Sequence, residues 1–397
     1  VPNNYDYNLF IRNHLQSKST ISQFEKIVLR LEILSTNIDW NGASAIMQTE
    51  ILEEQVEAQK IPKSWEEERA EVLAQKISEL PLKIEGTILE TKINQLYQEM
   101  EAKGLVFRPS CYLSDEWGCP DGIPIIGIPF YLVDQKLARI EEEYTENLEK
   151  EEELILYLRH EAGHAFNYAY ELYMTEEWHS VFGPYSRPYI EDYKSNPLSK
   201  KYVKHMQGWY AQKHPDEDFA ETFAVWLTPG LDWRKQYEGW DALKKLQYID
   251  RIAKEVGQLP PRLNDLDEDV PISELKLTIW EHYERNYSRE YPKIISQLGP
   301  LLDGDLREIF ESTNDPQFKP AHEFISSNRH ILRNLGYYWT GVSHNLLRSL
   351  IRYLAERAQA AGIYYNPSKE QHYQLQFSAF LLTMAMNYRY TDRFVEV

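Results

Sequence analysis

The sequence predicts an α+β protein that is mainly α. Three observations carry this. Apolar residues recur at helical spacing in segment after segment. β-Branched and aromatic residues cluster in two short runs only, 106–113 and 125–133. Between residues 154 and 173, two histidines four positions apart sit inside a long helical pattern.

Taken in order, Ile21, Phe24, Ile27, Val28, Leu31 and Leu34 form the first helical stripe. A glutamate-rich stretch follows over residues 50–79 and reads as solvated helix. Residues 1–80 are therefore expected to be a helical N-terminal region. Leu89, Ile93, Leu96, Tyr97 and Met100 mark a second amphipathic helix, which Gly104 stops. The two β runs come next, joined by the turn-rich segment 115–124. From Glu141 to Glu153 there are eight glutamates and one lysine, a charged entry to the helix of 154–173. Residues 174–209 are irregular and aromatic, with Trp178, Phe182, Tyr185, Tyr189, Tyr193, Tyr202 and Trp209. Pro215 opens another helix and Thr228-Pro229-Gly230 closes it. Residues 81–258 are expected to be one catalytic domain, 259–271 a linker and 272–397 a helical C-terminal domain. In the linker Asp265, Asp267 and Asp269 alternate like calcium ligands, but the Gly and Glu of an EF-hand loop are missing.

Of 397 residues, 43 are Lys or Arg and 62 are Asp or Glu, a net charge of −19. That balance opposes nucleic-acid binding and docking on anionic membranes. No apolar stretch is long enough to cross a bilayer. Two cysteines, Cys111 and Cys119, exclude a disulfide scaffold and suit a reducing compartment, so a cytoplasmic location is expected. Val1 at the start leaves a removed leader open.

The chemistry centres on His160-Glu161-Ala162-Gly163-His164, an H-E-x-x-H pattern. Chance placement of 11 His and 62 acids gives about 0.05 such patterns in this length. Two imidazoles one helical turn apart can share a metal ion, and the glutamate between them stands where a general base for water is needed. A catalytic zinc needs a third protein ligand. Glu217 and Glu221 lie one turn apart on the downstream helix, so one can bind the metal and the other can hold a ligating imidazole. Asp216 and Asp218 are the competing ligands.

The runs Leu158-Arg159-His160-Glu161-Ala162-Gly163-His164-Ala165 and Glu217-Asp218-Phe219-Ala220-Glu221-Thr222-Phe223-Ala224 resemble the bacterial zinc-binding metallopeptidases of the gluzincin type. The catalytic core of anthrax lethal factor is similar over a shorter stretch. The resemblance covers about residues 82–256. It implies a zincin-like core and one zinc per chain, held by His160, His164 and Glu217. It also implies Glu161 as base, Glu221 behind the ligands, and Tyr210, seven residues before Glu217, as oxyanion donor. His214 competes for the donor role. In such folds an edge strand above the metal pairs with an extended peptide, and 125–133 is the candidate, against the alternative of an interior strand.

The expected activity is hydrolysis of a peptide or amide bond. The alternatives are hydrolysis of a non-protein amide, or a zinc-stabilised binding module with little turnover. Arg329, Arg333, Arg348 and Arg352 concentrate positive charge in an acidic chain. They are read either as a solvated face or as a site for an acidic or carboxylate-ended substrate. His322-Glu323 is not a second motif, because Ser326 stands where its second histidine would fall.

Overall fold

Helix α1 (Ile88–Ala102) starts where the Thr87 hydroxyl accepts a hydrogen bond from the Leu89 amide. Its stripe of Leu89, Ile93, Leu96 and Met100 is buried. Gly104, at φ 82°, lets the chain reverse after it. The computed structural model describes residues 63–397 apart from 147, 191–192, 264–267, 287–291, 314 and 396–397. The expected helix at 21–34, the first part of the glutamate-rich stretch, and Asp265 and Asp267 lie outside the described residues. The chain divides into two units, Val1–Glu68 and Arg69–Val397. The second unit carries every element named here.

Helix is the dominant structure and sheet is scarce. Strand β1 (Ser110–Ser114) pairs in parallel with β2 (Ile125–Pro129), with Ser110 opposite Ile125 and Ser114 opposite Pro129. Both strands are shorter than the sequence runs. Pro129 has no N–H to continue a ladder, and Phe130–Val133 winds into a 3-10 turn instead. Gly118 exchanges backbone bonds with Gly127 on the side of β2 away from β1. At Gly127, β2 therefore has a neighbour on both sides, although the sheet itself has only two strands. The outboard position belongs to the segment around Gly118.

Asp134 caps α2 (Gln135–Thr145) by accepting from the Lys136 and Leu137 amides. The acidic run does not form one helix. Its first part ends α2, where Glu146 turns left-handed at φ 53°, and Glu151–Glu153 form the first turn of α3 (Glu151–Ala169). There the three carboxylates face the positive end of the helix dipole. A short helix α4 (Glu176–Phe182) follows, then the irregular stretch, then α5 (Pro215–Leu227) and α6 (Ala242–Val256). Every residue of α5 is buried.

α3 and α5 approach closely because small residues face each other. A Cβ at Gly163 would stand 2.7 Å from the Ala220 Cα, so only glycine permits this separation. Phe166 stacks on Phe223 beside that contact, with ring centroids 5.1 Å apart. α1 is tied to α3 by Arg159, which donates two bonds of 2.7 Å to the Glu99 carboxylate in a buried pair.

The C-terminal helices are α7 (Asp303–Ile309), α8 (Ala321–Ser327), α9 (Arg329–Thr340), α10 (His344–Ala361) and α11 (Glu370–Thr391). They enclose a separate core that includes Leu306, Phe310, Phe324, Leu350, Leu354 and Phe377. A two-residue antiparallel pair, β3 (Lys319–Pro320) with β4 (Tyr364–Tyr365), closes one end. No helix among the described residues is long and apolar enough to cross a membrane.

Candidate metal centre

Helical geometry brings His160 and His164 to one face of α3, with Nε2 atoms 3.2 Å apart. Across the Gly163–Ala220 contact, α5 brings Glu217 to the same point. Its Oε2 lies 3.0 Å from His160 Nε2 and 3.2 Å from His164 Nε2. Four donors about 2.1 Å from a tetrahedral zinc lie roughly 3.4 Å apart. The observed triangle has nearly that size. Among the described residues this is the one cluster of His, Cys, Asp or Glu able to hold a metal ion.

The remaining ring nitrogens explain why the donors converge. His160 Nδ1 lies 2.9 Å from Glu221 Oε1, and His164 Nδ1 lies 2.8 Å from Asp216 Oδ2. An ionised carboxylate only accepts, so each imidazole carries its proton on Nδ1 and, when neutral, turns a bare Nε2 lone pair toward Glu217. Three lone pairs facing one another at 3.0–3.2 Å repel unless a cation lies among them. Burial opposes charge on His160, but its bonds to Glu217 and Glu221 outweigh that and push its pKa up to about 10. Burial likewise opposes charge on Glu217, yet the two imidazoles hold its pKa well below the usual carboxylate range. The site therefore demands positive charge, and the donor set fits a zinc ion.

The supporting carboxylates are themselves held. Glu221 Oε2 accepts from the Met206 amide at 2.9 Å. Asp216 accepts from Tyr168 at 2.6 Å and from Asn167 at 2.8 Å. Asp216, a competing ligand on sequence grounds, thus orients His164 and does not join the triangle. Asp218 turns away to Lys245. Glu161 is buried beside the three donors, and desolvation raises its pKa.

Tyr210 faces the same cavity, its ring centroid 5.5 Å from that of His160. Burial and the nearby Glu217 raise its pKa well above the usual phenol range, so its hydroxyl is a donor. Gly208 and Trp209 deliver it there in left-handed conformations, φ 76° and 63°. Trp209 tolerates this because its indole N–H donates to the Tyr338 carbonyl and its ring lies under Lys204. His214, the other candidate donor, is engaged elsewhere. Its Nε2 lies 2.8 Å from the Arg187 carbonyl, while its Nδ1 accepts from the Asp216 amide as the cap of α5.

These groups open into a cavity of about 1090 Å³ that runs along α3 toward Glu149 and Glu153. α9 roofs it with His330, Arg333, Asn334 and Tyr337. Of the four arginines singled out in the sequence, only Arg333 lines this cavity. All four line a neighbouring pocket of about 300 Å³. Arg333 and Arg348 donate to the Thr145 and Tyr144 carbonyls at the end of α2, and Arg329 pairs with Glu146 at 3.3 Å. Cys119 also lines the large cavity. Burial pushes the Cys111 thiol up to about 12 and Cys119 well above its ordinary value, so both remain protonated.

Tyr189 has no signature in the sequence beyond lying in the aromatic stretch. Its hydroxyl donates to Glu217 Oε1 at 2.5 Å and lies 3.1 Å from the Tyr210 hydroxyl.

The site is a candidate metal centre, with H-E-x-x-H on α3 and a glutamate on α5. Residues 132–266 match the family model described as "Putative zinc-binding metallo-peptidase", the family that the sequence resembles. No curated protein and no solved structure matches the chain.

Proposed function

We propose that this chain is a zinc-dependent metallopeptidase with a zincin-like core. One observation carries the reading: two imidazole Nε2 nitrogens and one carboxylate oxygen converge at 3.0–3.2 Å, with both imidazoles locked from behind by carboxylates. A zinc ion held there supplies the Lewis acidity that activates water and polarises a scissile carbonyl.

The chain's own groups do the rest. Glu161 takes a proton from the attacking water and passes it to the leaving nitrogen; burial raises its pKa, which favours holding that proton between the two transfers. Tyr210 donates to the carbonyl oxygen as charge develops on it. Backbone groups of the Gly118 segment, outboard of β2 and lining the cavity, offer an edge for an extended substrate. The α9 roof favours a short peptide or peptide-like amide over a folded protein. Arg333, which lines the cavity from that roof, is the candidate for a substrate carboxylate. The two protonated thiols fit a reducing, cytoplasmic setting.

The test is metal analysis joined to turnover of a mixed short-peptide library. Wild-type protein is expected to bind one zinc and cleave peptides. Glu161→Gln should keep the zinc and the fold and lose about 10²–10⁴ in rate. Full zinc retention in Glu217→Ala, or near-normal turnover in Glu161→Gln, would overturn the reading.

A further inference from the structure

We propose that Tyr189 is a positioning residue of the metal centre: its hydroxyl holds Glu217 as a one-oxygen ligand and sets the direction of the Tyr210 hydroxyl. This rests on the reading of His160, His164 and Glu217 as metal ligands.

The two oxygens of Glu217 stand in different surroundings. Oε2 faces the imidazole nitrogens at 3.0 and 3.2 Å, whereas Oε1 is turned away and accepts from Tyr189 at 2.5 Å. A carboxylate free to swing can offer both oxygens to a cation, and the second would fill the position that a catalytic site leaves open for water or substrate. A charge-assisted bond to Oε1 opposes that swing. It does for Glu217 what Glu221 and Asp216 do for the two imidazoles.

Proton counting extends the role to Tyr210. A phenol has one proton to donate, and Tyr189 gives its own to the carboxylate. At 3.1 Å, the Tyr189 oxygen then accepts from Tyr210. The Tyr210 proton therefore points along a set line, toward a neutral partner from which a developing oxyanion can draw it.

The placement of Tyr189 is specific. It belongs to no helix or strand and is 48% exposed, yet its hydroxyl turns inward to a buried carboxylate. The Lys213 ammonium lies 4.3 Å from its ring centre and 5.1 Å from that of Tyr210, and the His214 ring lies 5.5 Å away. These contacts hold the ring whether or not the hydroxyl is present. Phenylalanine at this position should therefore keep the fold and remove the bonds to Glu217 and Tyr210.

The test uses the full chain with Zn²⁺ alone, by competition against a chromophoric chelator, and Co²⁺ alone, by its visible absorption. Tyr189→Phe should weaken Zn²⁺ binding by about 10- to 100-fold, while Tyr210→Phe changes it by less than about threefold. In the Co²⁺ form, Tyr189→Phe should lose band intensity as Glu217 takes the ion with both oxygens and the coordination number rises. A Tyr189→Phe protein with wild-type Zn²⁺ affinity, or with a wild-type cobalt spectrum, overturns the proposal. Wild-type protein that takes up no Zn²⁺, or Glu217→Ala that binds it as wild type does, would instead overturn the metal-centre reading and this proposal with it.

Discussion

Asp216 shows how much one side chain's neighbours decide its role. On sequence it competes with Glu217 for the metal. In the fold it receives three donors, His164 Nδ1–H, the Tyr168 hydroxyl and the Asn167 amide, on two oxygens. Asparagine has one acceptor oxygen and would turn its own N–H₂ toward one of those donors. Asp216→Asn should therefore loosen the His164 ring and lower zinc affinity by about 10- to 100-fold, with His160 still held. Glu221→Gln should do the same through His160, because Glu221 also serves two donors. Chelator competition measures both. Wild-type affinity in each variant would mean that the imidazoles are oriented by packing alone. The motif histidines, Glu161 and the glutamate pair were legible in the sequence because their spacing is a property of one helix at a time. The partner that each imidazole takes was not, because it depends on the rotation of α5 against α3.

At the scale of elements, the centre depends on how near α5 comes to α3. Gly163 sets that distance, since its missing Cβ leaves room for the Ala220 backbone. Alanine is the better helix former by about 1 kcal/mol. The 2.7 Å approach overrides this gain, because a backbone cannot turn aside as a flexible side chain can. Gly163→Ala should destabilise the fold by about 1–3 kcal/mol and separate Glu217 from the imidazoles, weakening zinc binding as well. Urea unfolding and zinc titration check the two effects. Unchanged values in both would mean that the helices repack without cost. The narrow alanine stripe beside the motif pointed to close packing in the sequence. Its partner, α5 at Ala220, is 57 residues away and could not be read from local pattern. The placement of β2 fails in the sequence for a related reason. Its residues suit an edge or an interior strand equally, and the bridge from Gly118 occupies its second side at Gly127.

Across the whole molecule, the C-terminal helices complete the site. α9 roofs the cavity, and a Cβ at Gly208 would lie 2.5 Å from the Tyr337 ring, so the turn that delivers Tyr210 is shaped against that helix. The arginine concentration that looks like a substrate face also serves assembly. Arg333 and Arg348 satisfy carbonyls at the negative end of α2, and Arg329 pairs with Glu146 just beyond it. On the same helix, Glu141 is buried and accepts from Tyr283 at 2.7 Å, and desolvation pushes its pKa up to about 7 from 4.5. A carboxyl with a raised folded pKa binds its proton more tightly when folded. Its contribution to stability therefore falls as pH rises from about 4.5 to about 7 and stays low above that. Glu141→Gln keeps an acceptor for Tyr283 and removes the buried charge. It should be more stable than wild type at pH 8 by about 1–3 kcal/mol, with the gap closing near pH 4. Urea unfolding at the two pH values measures this, and a gap independent of pH would exclude Glu141 as its source.

The sequence by itself determined the mainly helical class, the H-E-x-x-H motif and the general position of the carboxylate that joins it. These follow from periodicity and spacing within single helices, where 3.6 residues per turn fixes which side chains share a face. The tertiary structure alone decided that Asp216 supports His164, that Tyr189 reaches Glu217, that Gly118 bridges β2 at Gly127, and that α9 covers the cavity. Each of these depends on the distance and rotation between elements far apart in the chain. Side-chain volume and hydrogen-bond partners set that geometry, and neither leaves a repeating pattern in the order of residues.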